Sequence, residues 1–532
     1  MSTRGARITS LVVLAIFTAL VFARLGQYGL WDDEAQTALF GQAVWETGDT
    51  SARHGHNTVL YRDAVEIDSQ LRNRLVAPLS YYFEAPFIRD TRSAWWARLP
   101  FALGGVATVA WLLAWLRRSG ATRRVWALAS MAILGNVSLI LYAKQARYYT
   151  LAMVCCVAAA YAYAHRARGR AMLVMLAIAG AATCATHYLA YAALVSALTV
   201  DYLWIGRKEA RLSSRALVAL AASQVALCAP VVLTWYPLGK DLARKHVTFD
   251  AGERFLLWLR TLRELNHAEY GVGILMLLAP VLYYRVRDAR LLRLLIAILV
   301  ATAVITLFTP QPPSAPIADI RYAAILVPAC LALCVIVIDT LPLRGLLPLG
   351  IGLVAFGTTF LHAAFAHVVP SGGYIVPVRS TLATYLVELV DPPPSSYRLT
   401  SEWLIAHASP GETALVFPDY AAYPLMFHAP HVRYAWQLSE ARAAQLPGVA
   451  PIDIVGKLAP DLIIVFDPRG RNPAVVTKLA ELGATYELAG TVEASSVDAS
   501  RAELFWHRFE AEGAYDPDAP ITIWRRARKP VP

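Results

Sequence analysis

Three consecutive acids, Asp32, Asp33 and Glu34, follow Trp31 just past an apolar run at 8–23 that Arg4 and Arg7 precede. Carboxylates at a membrane boundary are costly unless they meet water, a partner or a substrate. The chemistry open to them there is to take a proton from a hydroxyl. The competing role is structural: Asp32 or Asp33 would cap a helix over about 34–46 by accepting its first N–H groups. Both roles can coexist, because a cap occupies one acid and leaves another. A second group, Lys144, Gln145, Arg147 and Tyr148, puts two cations into a short break between apolar segments. Snorkelling is the ordinary account of such cations. The sharper one is an anion, such as a lipid phosphate, held by the guanidinium fork. Arg72 and Arg74, the pair His187-Tyr188 and the pair Arg321-Tyr322 complete the set. Each alone is more often a packing or surface feature than a site. Together they fall in breaks expected on one face of a membrane, where a shared cavity would gather acids for a base and cations for a phosphate.

The elements that must carry these residues follow from composition. The chain has 532 residues, 57% hydrophobic and 16% charged, with a mean hydropathy of +0.45. Those values exclude a disordered or ordinary soluble protein and indicate many membrane spans. The net charge of +11 would suggest nucleic acid in a soluble protein. Here the basic residues sit in short turns between apolar runs, as topology signals do, so no nucleic-acid partner is expected. Spans are expected near 8–23, 95–116, 125–142, 148–164, 171–186, 188–205, 216–235, 271–284, 291–309, 322–340 and 346–366, about eleven helices. The long run 171–205 is split at His187-Tyr188. Arginine-rich breaks alternate along the chain and mark the cytoplasmic side. That leaves the N-terminus inside, and the first loop (24–94), the 236–270 loop and everything after 366 outside. Residues 367–396 read as a linker ending in Pro392-Pro393-Pro394-Ser395-Ser396, stiff by composition. Residues 397–532 read as a small external α/β domain, with strands at 413–417, 462–466 and 521–524 and a helix at 474–482. Arg469-Gly470-Arg471 is weak as a phosphate motif. All six cysteines lie in apolar segments, so neither a disulfide framework nor a zinc site is expected.

Trp31-Asp32-Asp33-Glu34-Ala35 and the helix ending Glu46-Thr47-Gly48 resemble the opening of the bacterial GT-C glycosyltransferases, relatives of the lipid A aminoarabinose transferase and the protein O-mannosyltransferases. Pro78-Leu79-Ser80-Tyr81-Tyr82, Arg98-Leu99-Pro100, Gln145-Ala146-Arg147-Tyr148-Tyr149, His187-Tyr188 and Arg321-Tyr322 are similar to family motifs in the same order. The likeness covers about 8–366. It implies transfer of a sugar from a polyprenyl-phosphate donor to a lipid, glycan or protein acceptor at the external face of the bacterial inner membrane. It implies inversion, with Asp33 as base and Glu34 supporting it, and with Arg147 helped by Lys144, Arg72 or Arg321 on the phosphate. Two departures stand out: Gln145 replaces an acid, and the first loop lacks a clear Glu-Lys pair. Divalent-metal use is left open. The competing readings are a multi-pass transporter or lipid flippase, for which paired repeats would be expected, and a scaffold that leaves 32–34 without a role.

Overall fold

The computed structural model describes residues 2–235, 250–268, 272–311, 318–361, 363–364, 378–466, 472–494 and 520–527. Helix α1 (Thr3–Phe22) enters the membrane module, and a turn leads to α2 (Asp32–Thr47). A small hairpin, β1 (Arg53–His54) with β2 (Asn57–Thr58), and α3 (Leu79–Ile88) complete the first loop. Helices α4 (Ala94–Arg118), α5 (Arg123–Gly135), α6 (Val137–Ala143), α7 (Tyr149–Ala164), α8 (Arg170–Thr186), α9 (Tyr188–Asp201) and α10 (Ser214–Thr234) follow. After α11 (Ala251–Ala268) come α12 (Val272–Val286), α13 (Ala289–Phe308), α14 (Val327–Thr340) and α15 (Leu347–Gly357). Each expected span overlaps one of these helices or, for 125–142, a pair; 346–366 is helical over Leu347–Gly357, and its end lies partly outside the described residues. Among the described residues, six helices are long and apolar enough to cross a bilayer unaided, the last being α14 with the 3₁₀ turn before it; several others are shorter apolar helices.

The split at His187 is present, and 125–142 is divided as well: α5 and α6 meet at 55°. The cause is local. A Cβ on Gly135 would lie 2.5 Å from the Phe356 carbonyl oxygen, so α5 ends pressed against the backbone of α15. Asn136 then starts α6 by accepting the Leu139 N–H. The arginine-rich turns form a tied layer at one end of the bundle. Arg166 donates to the carbonyls of Tyr163, Gly206 and Ala210, and Arg293 pairs with Asp201 and Glu209.

The segment expected as a linker contains α16 (Thr381–Val390), an amphipathic helix. Its Tyr385 hydroxyl donates to the Leu20 carbonyl at 2.9 Å, which docks it on α1. Residues from α17 (Ser396–His407) onward build a five-stranded sheet of order β4-β3-β5-β7-β6. The strands are β3 (Thr413–Phe417), β4 (Arg433–Tyr434), β5 (Leu462–Val465), β6 (Tyr486–Val492) and β7 (Ile521–Arg526). β3 runs parallel to β4 and β5, while β7 is antiparallel to β5 and β6. Continuously apolar β3 and β5 are the pattern of central parallel strands covered on both faces. The helix expected at 474–482 is α19 (Pro473–Glu481), preceded in the domain by α18 (Ala422–His428). Residues 469–471 lie outside the described residues. Apolar side chains of α2, including Leu39 and Phe40, share one core with Leu425 and Phe427 of α18. The C-terminal sheet domain is therefore packed onto the first loop.

Candidate active site

α2 begins at Asp32 rather than at 34, with Trp31 as its cap residue. The cap bond comes from Glu34, whose Oε2 accepts the Trp31 N–H at 3.3 Å. The third acid thus closes the capping box at the start of the helix. Asp33 then projects from the first turn, where the helix dipole favours negative charge. Its side chain remains 27% exposed. Oδ2 of Asp33 meets Arg321 Nη1 at 3.0 Å and Arg147 Nη2 at 3.3 Å. Arg147 Nη1 also donates to the Asp33 carbonyl at 3.1 Å and to Thr37 Oγ1 at 3.0 Å. Arg321 is steadied from behind by both oxygens of Asp319 and by its position over the Trp31 ring. Residues 288 positions apart in sequence are thus brought to one carboxylate oxygen.

Glu34 and Arg98 make this arrangement rigid. Both are buried, at 0% and 1% side-chain exposure. Arg98 spans the carboxylate with two bonds of 2.8 and 2.6 Å, and its remaining hydrogens go to the carbonyls of Leu25, Tyr28 and Gly29. Glu34 Oε1 also accepts the Ala146 N–H at 2.7 Å, which fixes the turn carrying Arg147 against α2. Glu34 therefore offers no surface to a substrate; it positions Asp33 and Arg147 relative to one another. Asp32, half-buried, opens the same turn.

The other expected residues divide into two groups. Tyr148 stacks on His187 with centroids 4.2 Å apart, and Tyr322 lies 5.9 Å from His187, forming an aromatic wall beside Arg147 and Arg321. His187 is no phosphate cation. Its Nδ1 accepts the Ala190 N–H to cap α9, and burial together with the Arg147 charge holds the imidazole down to about 3. Lys144 is also turned to structural work. Its ammonium donates to the Ala23 carbonyl at 2.7 Å and the Tyr385 hydroxyl at 3.2 Å, joining α1 to α16. Burial, with Arg98 and Arg24 nearby, pulls it down to about 7, a poor value for a permanent counter-charge. Arg72 and Arg74 are engaged by the first loop's own acids: Arg72 by Asp49 and Asp68, and Arg74 by Asp49. Arg74 also lies over the Trp235 ring, whose carbonyl accepts the Tyr188 hydroxyl. Gln145 is fully buried under the turn.

Near Asp33, Arg147 Nε and the Tyr81 hydroxyl are among the buried donors with no hydrogen-bond partner among the described residues. Burial and the nearby charges of Glu66 and Asp33 push the Tyr81 hydroxyl far up, so it stays a donor. Tyr81 was legible only as part of the motif at 78–82; nothing in the sequence assigned it a task. Among the described residues, no group of three or more His, Cys, Asp or Glu is gathered to hold a metal ion.

The fold has solved counterparts. ArnT from Cupriavidus metallidurans overlays on 98% of both chains with TM-score 0.56 and 14% identity, in its apo state and in its complex with undecaprenyl phosphate. The arabinofuranosyltransferase AftD from mycobacteria overlays more loosely, with TM-score 0.41 and 17% identity, over 99% of this chain and 42% of that one. No family profile matches the sequence, and no curated protein matches it. The chain shares the fold of the solved ArnT structures: a polytopic helical module with a C-terminal sheet domain.

Proposed function

We propose that this protein is a membrane glycosyltransferase that moves a sugar from a polyprenyl-phosphate donor to an acceptor hydroxyl, with Asp33 as the base. The observation that carries the reading is Asp33 Oδ2, on a partly exposed side chain, shared between Arg147 and Arg321. The solved relative that binds undecaprenyl phosphate has this fold, which makes a polyprenyl phosphate the natural donor class. In the reaction the acceptor O–H bond breaks and its proton goes to Asp33. The acceptor oxygen bonds to the anomeric carbon, and the bond from that carbon to the phosphate oxygen breaks, leaving the electron pair on polyprenyl phosphate. A single displacement inverts the anomeric centre.

The ion pairs that hold Asp33 in the resting protein oppose its taking a proton. A donor phosphate competes for the same two guanidinium groups, and Arg147 Nε and Tyr81 add unspent donors. Donor binding therefore both seats the leaving group and frees the base. A well-placed base contributes about 10²- to 10⁴-fold, and cations aimed at the developing phosphate charge supply a comparable share. Arg72, Arg74, Lys144 and Tyr188 contribute through structure, and Tyr148, His187 and Tyr322 through the shape of the wall. The arginine-rich turns support a topology with the opposite end, the site and the sheet domain outside the plasma membrane. No step is assigned to a metal. Mass spectrometry of glycans, glycolipids and lipid-linked sugars from cells with and without the protein tests the reading. The expected result is one missing glycosylated product and an accumulated polyprenyl-phosphate sugar. Identical profiles under conditions that express the protein would refute it.

A further inference from the structure

The chain at 25–30, immediately before the acid cluster, is gripped from two sides by different parts of the molecule. Arg98 of α4 takes the carbonyls of Leu25, Tyr28 and Gly29. Three further groups are taken from the side of the C-terminal domain. Ser395 Oγ accepts the Gly29 N–H at 2.9 Å, His428 Nε2 accepts the Leu30 N–H at 3.1 Å, and Arg398 Nη1 donates to the Gln27 carbonyl at 3.1 Å. His428 is suited to this by its tautomer. Its Nε2 must be bare to accept from Leu30, so the proton sits on Nδ1 and goes to the Arg92 carbonyl at 3.0 Å. Arg92 in turn donates to Gln42 of α2 and lies over the ring of Phe427. The approach is close enough to exclude a side chain: a Cβ on Gly29 would fall 2.9 Å from the Arg398 nitrogen and 3.0 Å from the Tyr397 Cβ. A domain that only followed the membrane module would have no reason to seat two acceptors on consecutive amides three and four residues from Asp33.

We propose that the external domain is a positioning element for the base: through His428 and Ser395 it sets the chain leading into Asp33, and Asp33 faces Arg147 and Arg321 only while that domain is docked. The catalytic half of this rests on Asp33 being the base, as read above; the locking of the loop does not. His428 and Ser395 are positioning residues and touch no reacting atom. Glutamine at 428 retains one acceptor and one donor at the spacing of the imidazole nitrogens, whereas phenylalanine keeps the volume and removes both.

The test uses the full-length protein in nanodiscs. Hydrogen exchange is followed by mass spectrometry for peptides covering 24–33 and, as control, for β3 and β5. For His428→Phe, and for the milder Ser395→Ala, exchange at 27–33 should rise about tenfold, the change that loss of one buried hydrogen bond brings, with β3 and β5 unchanged. His428→Gln should return it to the wild-type rate. In the transfer assay His428→Phe should lower kcat about tenfold at unchanged donor KM, because Arg147 and Arg321 still bind phosphate. Unchanged exchange at 27–33 in both variants overturns the proposal. So does a rise spread over the whole domain that glutamine fails to reverse, which would mean a folding defect only. A wild-type protein with no transferase activity would sink the functional reading, and the exchange pattern, which needs no substrate, would then decide the positioning claim alone.

Discussion

Removing Arg98 should be among the most damaging single changes in the chain, and its cost can be worked from the contacts. All five guanidinium hydrogens are used: two on the Glu34 carboxylate and three on loop carbonyls. The pair is fully enclosed. Breaking a buried ion pair from one side costs about 3–5 kcal/mol, mostly because the remaining charge is stranded. The three orphaned carbonyls add about 1 kcal/mol or more each where water does not reach them. For Arg98→Met the inactivation rate of the purified protein in detergent should therefore rise roughly 10⁴- to 10⁶-fold if the whole loss falls on the unfolding barrier, about one decade for every 1.4 kcal/mol. Glu34→Leu should behave similarly, leaving Arg98 charged and unpaired. The double variant is the informative one, since neither charge remains to be stranded. It should be less damaged than the sum of the single changes by about 2 kcal/mol or more. Half-lives measured over a range of temperatures give all three values. Strictly additive losses would mean that the pair is not the coupled unit described, and that Glu34 and Arg98 act through separate contacts.

Gly105→Ala should destabilise the protein by about 1–3 kcal/mol, because its Cβ would sit 2.5 Å from the Ala143 Cβ at the end of α6. Inactivation temperature and kcat should fall together, as the displaced helix carries the Arg147 turn. Glu84 is fully buried, and burial, then the neighbouring Glu34 charge, pushes its carboxyl well above the ordinary 4.5. The folded protein keeps a proton that the unfolded chain has lost above that value, so stability falls as pH rises through the window between the two. Glu84→Gln should remove that slope, and its stabilising margin should be larger at pH 8 than at pH 5 in thermal inactivation. Arg147→Lys should raise the donor KM about tenfold or more by losing the fork that serves Asp33 and Thr37. Lys144→Met should leave donor KM within about twofold, since that ammonium is spent on Ala23 and Tyr385.

The helical layout was largely legible because apolar runs broken by arginines write the membrane into the chain. The break at His187 could be read from the length of the run it divides. The break at Asn136 could not, since it arises where Gly135 meets the backbone of α15, more than 200 residues away. α16 was hidden because its apolar stripe is one-sided and short, and a proline run follows it. β4 and β6 escaped for related reasons: two residues make β4, and β6 is exposed over much of its length. Asp33, Arg147 and Arg321 could be named as candidates because charges near apolar runs are conspicuous. Their convergence on one oxygen could not be read, nor could the diversion of Lys144, Arg72, Arg74 and His187 into structural bonds. Residue type tells what a side chain can do, while its partners decide what it is left free to do. Glu34 illustrates this best: one position from Asp33 along a helix, about 100° around the axis, it is buried on an arginine while its neighbour faces the opening.

The central claim is that Asp33 takes the acceptor's proton beside a phosphate held by Arg147 and Arg321. Asp33→Asn tests it most directly, read as donor binding and single-turnover transfer on the same preparation, with the polyprenyl-phosphate sugar identified from the cellular profiles. The account expects donor affinity retained or improved, because a competing anion has left the two guanidinium groups, and transfer slowed by about 10²- to 10⁴-fold. Transfer at the wild-type rate by that variant would contradict it.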